Sequence, residues 1–196
     1  MAKKKTTRKK APKRTTIKDN RPDVMMYDPP IGLDRVEGQS RALGVLNQSA
    51  QSGRLHHAWI FHGPEGVGKF TTAVSWAATL LDPSSAPDLS GNIAPDPESH
   101  VQQLIRSGTH PDFFVIRKEL TPFARETKIR SNKQRTIPKD ILVEYLVEPA
   151  ALAPSMTEGA HAGKVFIIDE AELIGREGQN AILKTLEEPG PGTLII

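Results

Sequence analysis

The sequence predicts an α/β fold, a parallel sheet held between helices. Two observations carry this. Short, wholly apolar runs alternate with stretches of helical periodicity, and strands covered on both faces belong to parallel sheets. One apolar run also enters a glycine-rich loop that opens a helix, Gly63-Pro64-Glu65-Gly66-Val67-Gly68-Lys69. That order, strand then loop then helix, is what a phosphate-binding loop requires.

The elements follow in chain order. Val36 to Ser52 places Leu43, Leu46 and Ala50 on one helical face. Ala58-Trp59-Ile60-Phe61 reads as a buried strand ending at Gly63. Residues 69–81 are Ala-rich and close on Leu80-Leu81, a helix. Phe113 to Ile116 is a second buried strand. Pro138, at a first helical position, leads Ile141, Leu142, Tyr145 and Leu146 along one face. Val165 to Ile168 is a third strand. Gln179 to Glu187 is a helix with Ile182, Leu183 and Leu186 inward, stopped by Pro189, and Leu194 to Ile196 opens a fourth strand. Trp59 and Trp76 read as core or half-core packing. Two stretches interrupt the alternation. Residues 82–111 begin rich in Pro, Ser and Asp and read as a loop insertion, with a short helix at SHVQQLIRSG. Residues 117–136 are polar and of mixed charge, a second insertion that could touch DNA but is read first as a solvated loop.

Charge divides the chain. Residues 1–18 carry nine Lys and Arg and no acid, against a total of +3, so the remaining 178 residues sum to −6. The pI of about 9.2 therefore belongs to the tail. Lys, Arg and Thr cannot bury enough apolar surface to offset the entropy of ordering. Residues 1–22 are expected to be a disordered basic tail, either an arm for nucleic acid and other polyanions or a solubilising extension. Residues 23–196 are expected to be the folded core. No cysteine occurs, which excludes disulfides, thiolate zinc sites and cysteine nucleophiles. No apolar run reaches the roughly 18 residues of a membrane helix, and MAKKKTTRKK lacks the apolar stretch of a secretory leader. The expectation is a cytoplasmic protein without a membrane partner.

The loop residues and two carboxylates carry the chemistry. Glycines at 63, 66 and 68 let successive backbone N–H groups face one concavity at a helix N-terminus, and Lys69 reaches the β- and γ-phosphates. The next position should hold Ser or Thr to ligate Mg²⁺, but here it is Phe70. Thr71 follows, one residue along the helix and so rotated by about 100°. Phosphate cradling can survive this change, while Mg²⁺ placement and hydrolysis suffer. Val165-Phe166-Ile167-Ile168-Asp169-Glu170 describes a buried strand ending in a carboxylate pair at the edge where α/β sheets bind ligands. Asp169 is the candidate Mg²⁺ residue and Glu170 the candidate general base, if the site is an active ATPase.

These residues also carry a resemblance. Val36-Glu37-Gly38-Gln39, Gly53-Arg54-Leu55-His56-His57-Ala58 and the phosphate loop resemble the AAA+ module of bacterial clamp loaders. His110-Pro111-Asp112 and Ile167 to Leu173, with Gln179-Asn180-Ala181-Ile182-Leu183-Lys184-Thr185-Leu186-Glu187-Glu188-Pro189, resemble the delta-prime subunits of the DNA polymerase III clamp loader over residues 33–196. The resemblance implies an AAA+ P-loop core in a pentameric loader with gamma/tau and delta subunits. That loader opens the sliding clamp and places it on primed DNA during DNA replication. It implies Val36 and Gly38 near the adenine of ATP, and Gly63, Gly66, Val67, Gly68, Lys69 and Thr71 around the phosphates. Lys184 to Glu188 would lie toward a subunit interface. Delta-prime subunits commonly have degenerate P-loops and act as a rigid stator, which Phe70 fits. Many relatives carry a four-Cys zinc module where this chain has residues 82–109 without Cys, so zinc is not expected. The family's sensor-1 residue, arginine finger, lid and collar would lie beyond Ile196, and the core is expected to be cut within its fourth strand. Two further readings stay open: a catalytically active gamma/tau-like ATPase, and a basic-tailed DNA-binding accessory protein.

Overall fold

A computed structural model describes residue 30 and residues 32–89, 91–131, 135–156 and 158–196. The basic tail assigned to residues 1–22 lies outside the described residues. The elements are α1 (Ser40–Gln51), α2 (Lys69–Leu81), β1 (Ala86–Pro87), β2 (Ile93–Ala94), α3 (His100–Arg106), β3 (Phe113–Ile116), α4 (Lys139–Leu142), α5 (Glu148–Ala150), β4 (Lys164–Ile168), α6 (Arg176–Glu187) and β5 (Thr193–Ile195). A π turn over Val143–Val147 joins α4 to α5. Its Glu148 N–H donates to the Val143 carbonyl, five residues back. Pro149 explains the widening, since its ring crowds the carbonyl four residues earlier and it offers no N–H.

The sheet is parallel, in the order β3-β4-β5. Its register pairs Phe113 with Val165 and Ile116 with Ile168, then Val165 with Leu194. Side chains alternate between two cores, as the period of two demands. Phe113, Val165, Ile167 and Leu194 face the core built with α1, α2 and α3. Ile116, Phe166 and Ile195 face the core built with α4, α6 and the turn between α4 and α5. Phe114 stacks on Phe166 with ring centroids 4.8 Å apart. Every residue of α2 from Thr72 to Leu81 is buried, so this helix is the centre of its layer. Trp76 is fully enclosed, with Trp59 edge-on against it at 4.9 Å.

Five sequence expectations change. The stretch read as a solvated loop at 117–136 instead makes short 3-10 turns over Lys118–Phe123 and Thr127–Ile129 and buries Leu120, Thr121 and Ala124. Ala58 to Phe61 is not a buried strand. Only Ala58 bridges to Ile195, through Trp59 N–H to the Ile195 carbonyl and Ile195 N–H to the His57 carbonyl. Ile60 is 91% exposed. Leu183 faces outward, 49% exposed, while Ile182 is buried and Leu186 is half-buried. Pro138 is the N-cap of α4, one place before the first helical position. The stretch 82–99 is an organised hairpin, with Ala86 paired to Ala94 and Pro87 to Ile93. The buried Asp82 carboxylate is its hub. It accepts hydrogen bonds from Ser84 N–H (2.9 Å) and Ser84 Oγ (2.7 Å), from Gln102 Nε2 (2.9 Å) and from Ser99 Oγ. Ser99 in turn caps α3, accepting from Gln102 N–H. Among the described residues no helix is long and apolar enough to cross a membrane.

Candidate functional site

The phosphate loop lies between the Ala58 bridge and α2. Gly66 and Gly68 have φ of 79° and 82°. A Cβ at either would meet nothing within 4 Å. Backbone conformation, not space, is what requires glycine there. Gly68 is the N-cap of α2, and Thr72 ties the first turn by donating both N–H (2.9 Å) and Oγ1 (2.8 Å) to the Gly68 carbonyl. Gln39 Nε2 donates to the Val67 carbonyl at 3.1 Å, joining the start of α1 to the loop. Lys69 lies folded over its own loop, with Nζ donating to the Gly63 (2.9 Å) and Pro64 (2.7 Å) carbonyls. Its ammonium is thus held against the backbone of the loop. Thr71 is exposed.

Beside the loop is a cavity of about 410 Å³, open to solvent, within the size range of small-molecule sites. Val45, Trp59 and Ile60 form apolar walls, and Gln39, Arg41 and Lys69 bring polar groups to its edge. Of the residues named from sequence, Val67 and Lys69 border it. Val36 and Gly38 precede α1 and do not, and neither do Gly63, Gly66, Gly68 or Thr71. Sequence reasoning gave Gln39 and Arg41 no role, and it missed Ile60 because a strand was expected at 58–61 and its residues were assigned to the core.

The carboxylate pair lies where the parallel sheet ends. Asp169 N–H donates to the Ile116 carbonyl at 3.0 Å, closing the ladder. Since Ile116 pairs with Ile168, the next residues face one another across the strand ends, Arg117 with Asp169 and Lys118 with Glu170. Both are ion pairs. Arg117 Nη2 lies 2.9 Å from Asp169 Oδ2, and Lys118 Nζ lies 2.5 Å from Glu170 Oε2. The hydrogen bond that the Lys118 ammonium donates to Glu170 holds its pKa above the ordinary value, against the opposing effect of desolvation. The Arg117 guanidinium also covers the ring of Phe70, 3.9 Å from its centroid. Phe70, Arg117 and Asp169 therefore form one continuous stack. Glu170 is the only non-glycine among the described residues with a positive φ, 57°.

This arrangement does not fit Mg²⁺. The ion needs near-octahedral oxygens at about 2.0–2.1 Å. Here the hydroxyl position is an aromatic ring, and the candidate carboxylate already holds a permanent cation. The group that would polarise water, Glu170, is tied to an ammonium. What the arrangement can do is cradle phosphate with backbone N–H groups and Lys69.

His110-Pro111-Asp112 has a different job. Asp112 is 1% exposed, and its carboxylate accepts from Ser155 N–H (3.0 and 2.8 Å) and Met156 N–H (2.8 Å). The Asp112 N–H donates to His110 Nδ1 at 3.1 Å. The motif is a clasp between the start of β3 and the loop before β4.

Known proteins resemble this chain over the same region. The family described as "DNA polymerase III, delta subunit" matches residues 38–196. A DNA polymerase III subunit delta' from Pseudomonas aeruginosa is 35% identical over 140 residues, covering 71% of this chain and 36% of that protein. A DNA polymerase III subunit delta' from Bacillus subtilis is 26% identical over 160 residues, 82% of this chain and 41% of its own length. The DNA polymerase III subunit tau of Escherichia coli is 30% identical over 154 residues, 79% of this chain and 20% of its own length. The chain thus spans well under half the length of these relatives.

Proposed function

Because the chain belongs to the family of DNA polymerase III, delta subunit, we propose that it acts as the delta-prime subunit of a clamp loader, a stator that does not itself turn over ATP. The observation that carries the stator reading is the stack of Phe70, Arg117 and Asp169, in which an arginine takes the carboxylate a metal would use. Its partners would be the gamma/tau and delta subunits in the cytoplasm, and through them the sliding clamp and primed DNA. The loop with Lys69 would take ATP, with Val36 and Gly38 near the base and Gly63, Gly66, Val67, Gly68 and Thr71 around the phosphates. The basic tail would add contacts to nucleic acid, in which case deleting residues 1–18 weakens DNA binding and flattens its salt dependence.

Retention of Lys69, Asp169 and Glu170 favours a second reading, a working gamma/tau-like ATPase. Reconstitution and turnover separate the two. The full-length chain should enter a complex with gamma/tau and delta subunits on size exclusion. Alone, with clamp and primed DNA, it should show no turnover above background. Failure to enter the complex removes the loader assignment. Turnover by the chain alone near the ~1 s⁻¹ floor of ordinary enzymes removes the stator and leaves the ATPase.

A further inference from the structure

We propose that Arg117 is the resident cation of the phosphate loop, so that the site takes a nucleoside triphosphate free of Mg²⁺. The inference rests on reading the loop as a nucleotide site and adds to it the form of the ligand. Three observations converge on it. Loss of the hydroxyl at Phe70 removes one metal ligand. The ring that replaces it is the surface on which the Arg117 guanidinium lies, at 3.9 Å. The same guanidinium is 2.9 Å from Asp169 Oδ2, the other residue that would face a metal. Two separate departures from a metal site are thus one exchange, in which a hydroxyl and an ion give way to an aromatic ring and an arginine.

Chemistry makes the exchange coherent. A guanidinium stays protonated at any ordinary pH and can donate to a carboxylate and a phosphate at once. It stacks on an aromatic face where an ammonium would not hold the same plane. Phe70 directly follows Lys69, so the two cations flank the same turn of α2. Together they supply the positive charge that a triphosphate otherwise brings as its metal. Lys118 completes the arrangement by holding Glu170, which leaves no unpaired carboxylate of the pair to attract an ion.

The test uses the full-length chain, ATP and its non-hydrolysable imido analogue, titrated by calorimetry in EDTA and in excess MgCl₂. Electron paramagnetic resonance with Mn²⁺ reads metal at the site without any turnover. The wild type should bind ATP in EDTA at least as tightly as in Mg²⁺, with no protein-bound Mn²⁺ signal. Arg117→Met should weaken binding in EDTA by about tenfold or more. Phe70→Thr combined with Arg117→Met should reverse the preference to Mg²⁺ and bring up bound Mn²⁺. Melting curves report folding. If the Met variant melts early, Arg117→Lys keeps the charge and should keep the metal-free preference. The proposal falls if the wild type prefers Mg²⁺ by about tenfold, if Arg117→Met leaves EDTA binding unchanged, or if the wild type binds ATP in neither buffer. Entry of the wild type into the loader complex is scored separately. Normal assembly with any of these results overturns the arginine reading and leaves the subunit assignment standing.

Discussion

Replacing Asp112 tests whether the His-Pro-Asp motif is structural. Its carboxylate is 1% exposed and serves two backbone donors, Ser155 N–H and Met156 N–H. Hydrogen bonds to a charged acceptor contribute about 1.5–3 kcal/mol each, and an orphaned donor costs about 1–3 kcal/mol. Ser155 itself is exposed, so water can reach part of the vacated site and the lower ends apply. Asp112→Ala should then cost about 2–4 kcal/mol. Lys164 adds to this. Burial pushes its ammonium below the ordinary value, and Asp112 is the charge that opposes the shift. Asp112→Ala removes that charge and leaves the Lys164 Nζ donating to the Pro149 and Leu152 carbonyls. Asp112→Asn keeps one acceptor oxygen and should cost roughly half as much. Urea unfolding of the full-length chain gives the numbers, and a thermal scan should show a fall of roughly 5–12 °C for Asp112→Ala. A cost below ~1 kcal/mol with a loss of complex assembly would refute the reasoning. The motif would then be a contact surface and not a clasp.

Two further tests use the same measurement. Gly44 lies inside α1, and a Cβ there meets nothing within 4 Å, so Gly44→Ala should stabilise by about 0.5–1 kcal/mol. Gly190→Ala should do the opposite, by about 1–3 kcal/mol, since its Cβ would lie 2.5 Å from the Ala150 backbone carbonyl. Acid should expose the Asp82 hub. Burial pushes this carboxyl up, but hydrogen bonds from Ser99, Ser84 and Gln102 outweigh it and hold the group below 3.8. A carboxyl depressed on folding contributes stability above its unfolded value and loses it as pH falls through the folded one. Asp82→Asn should therefore cost clearly more at pH 7 than at pH 3, and equal costs would deny the hub its charge.

The α/β class, the glycine-rich loop before a helix and the strand that ends in two carboxylates were legible because each is written in local sequence. Phe113 to Ile116 and Val165 to Ile168 are wholly apolar because both faces are covered. Ala58 to Phe61 looks the same in sequence and differs in structure. There the bridge is a single residue, Ala58 to Ile195, and pairing with a distant segment is something no local pattern reveals. The hairpin at 82–99 was hidden for a related reason: its order comes from Asp82, which gathers Ser84, Ser99 and Gln102 from three separate turns. Leu183 follows the helical period yet faces outward, because only the neighbouring layer decides how wide a helix face is covered. The basic pair at 117–118 was legible in principle. Phe113-Phe114-Val115-Ile116-Arg117-Lys118 and Val165-Phe166-Ile167-Ile168-Asp169-Glu170 are the same pattern with opposite charge. In a parallel sheet two such strands align end to end, so the charges meet.

That register also decides what a single substitution at Phe70 can achieve. Phe70→Thr restores a hydroxyl where the metal ligand belongs, but it leaves the strand register that sets Arg117 opposite Asp169. A divalent ion at Asp169 would lie roughly 5 Å from the guanidinium. At an effective dielectric constant of about 20, the repulsion is roughly 7 kcal/mol. A neutral hydroxyl brings no charge to offset that repulsion while Arg117 occupies Asp169. The arginine would have to leave Asp169 first, and nothing draws it away while the β3–β4 register holds residue 117 opposite residue 169. Silencing in this site therefore resides in the sheet as much as in the loop. Phe70→Thr alone should recover no Mg²⁺ dependence, and removal of the Arg117 charge is the step that opens the carboxylate to a metal.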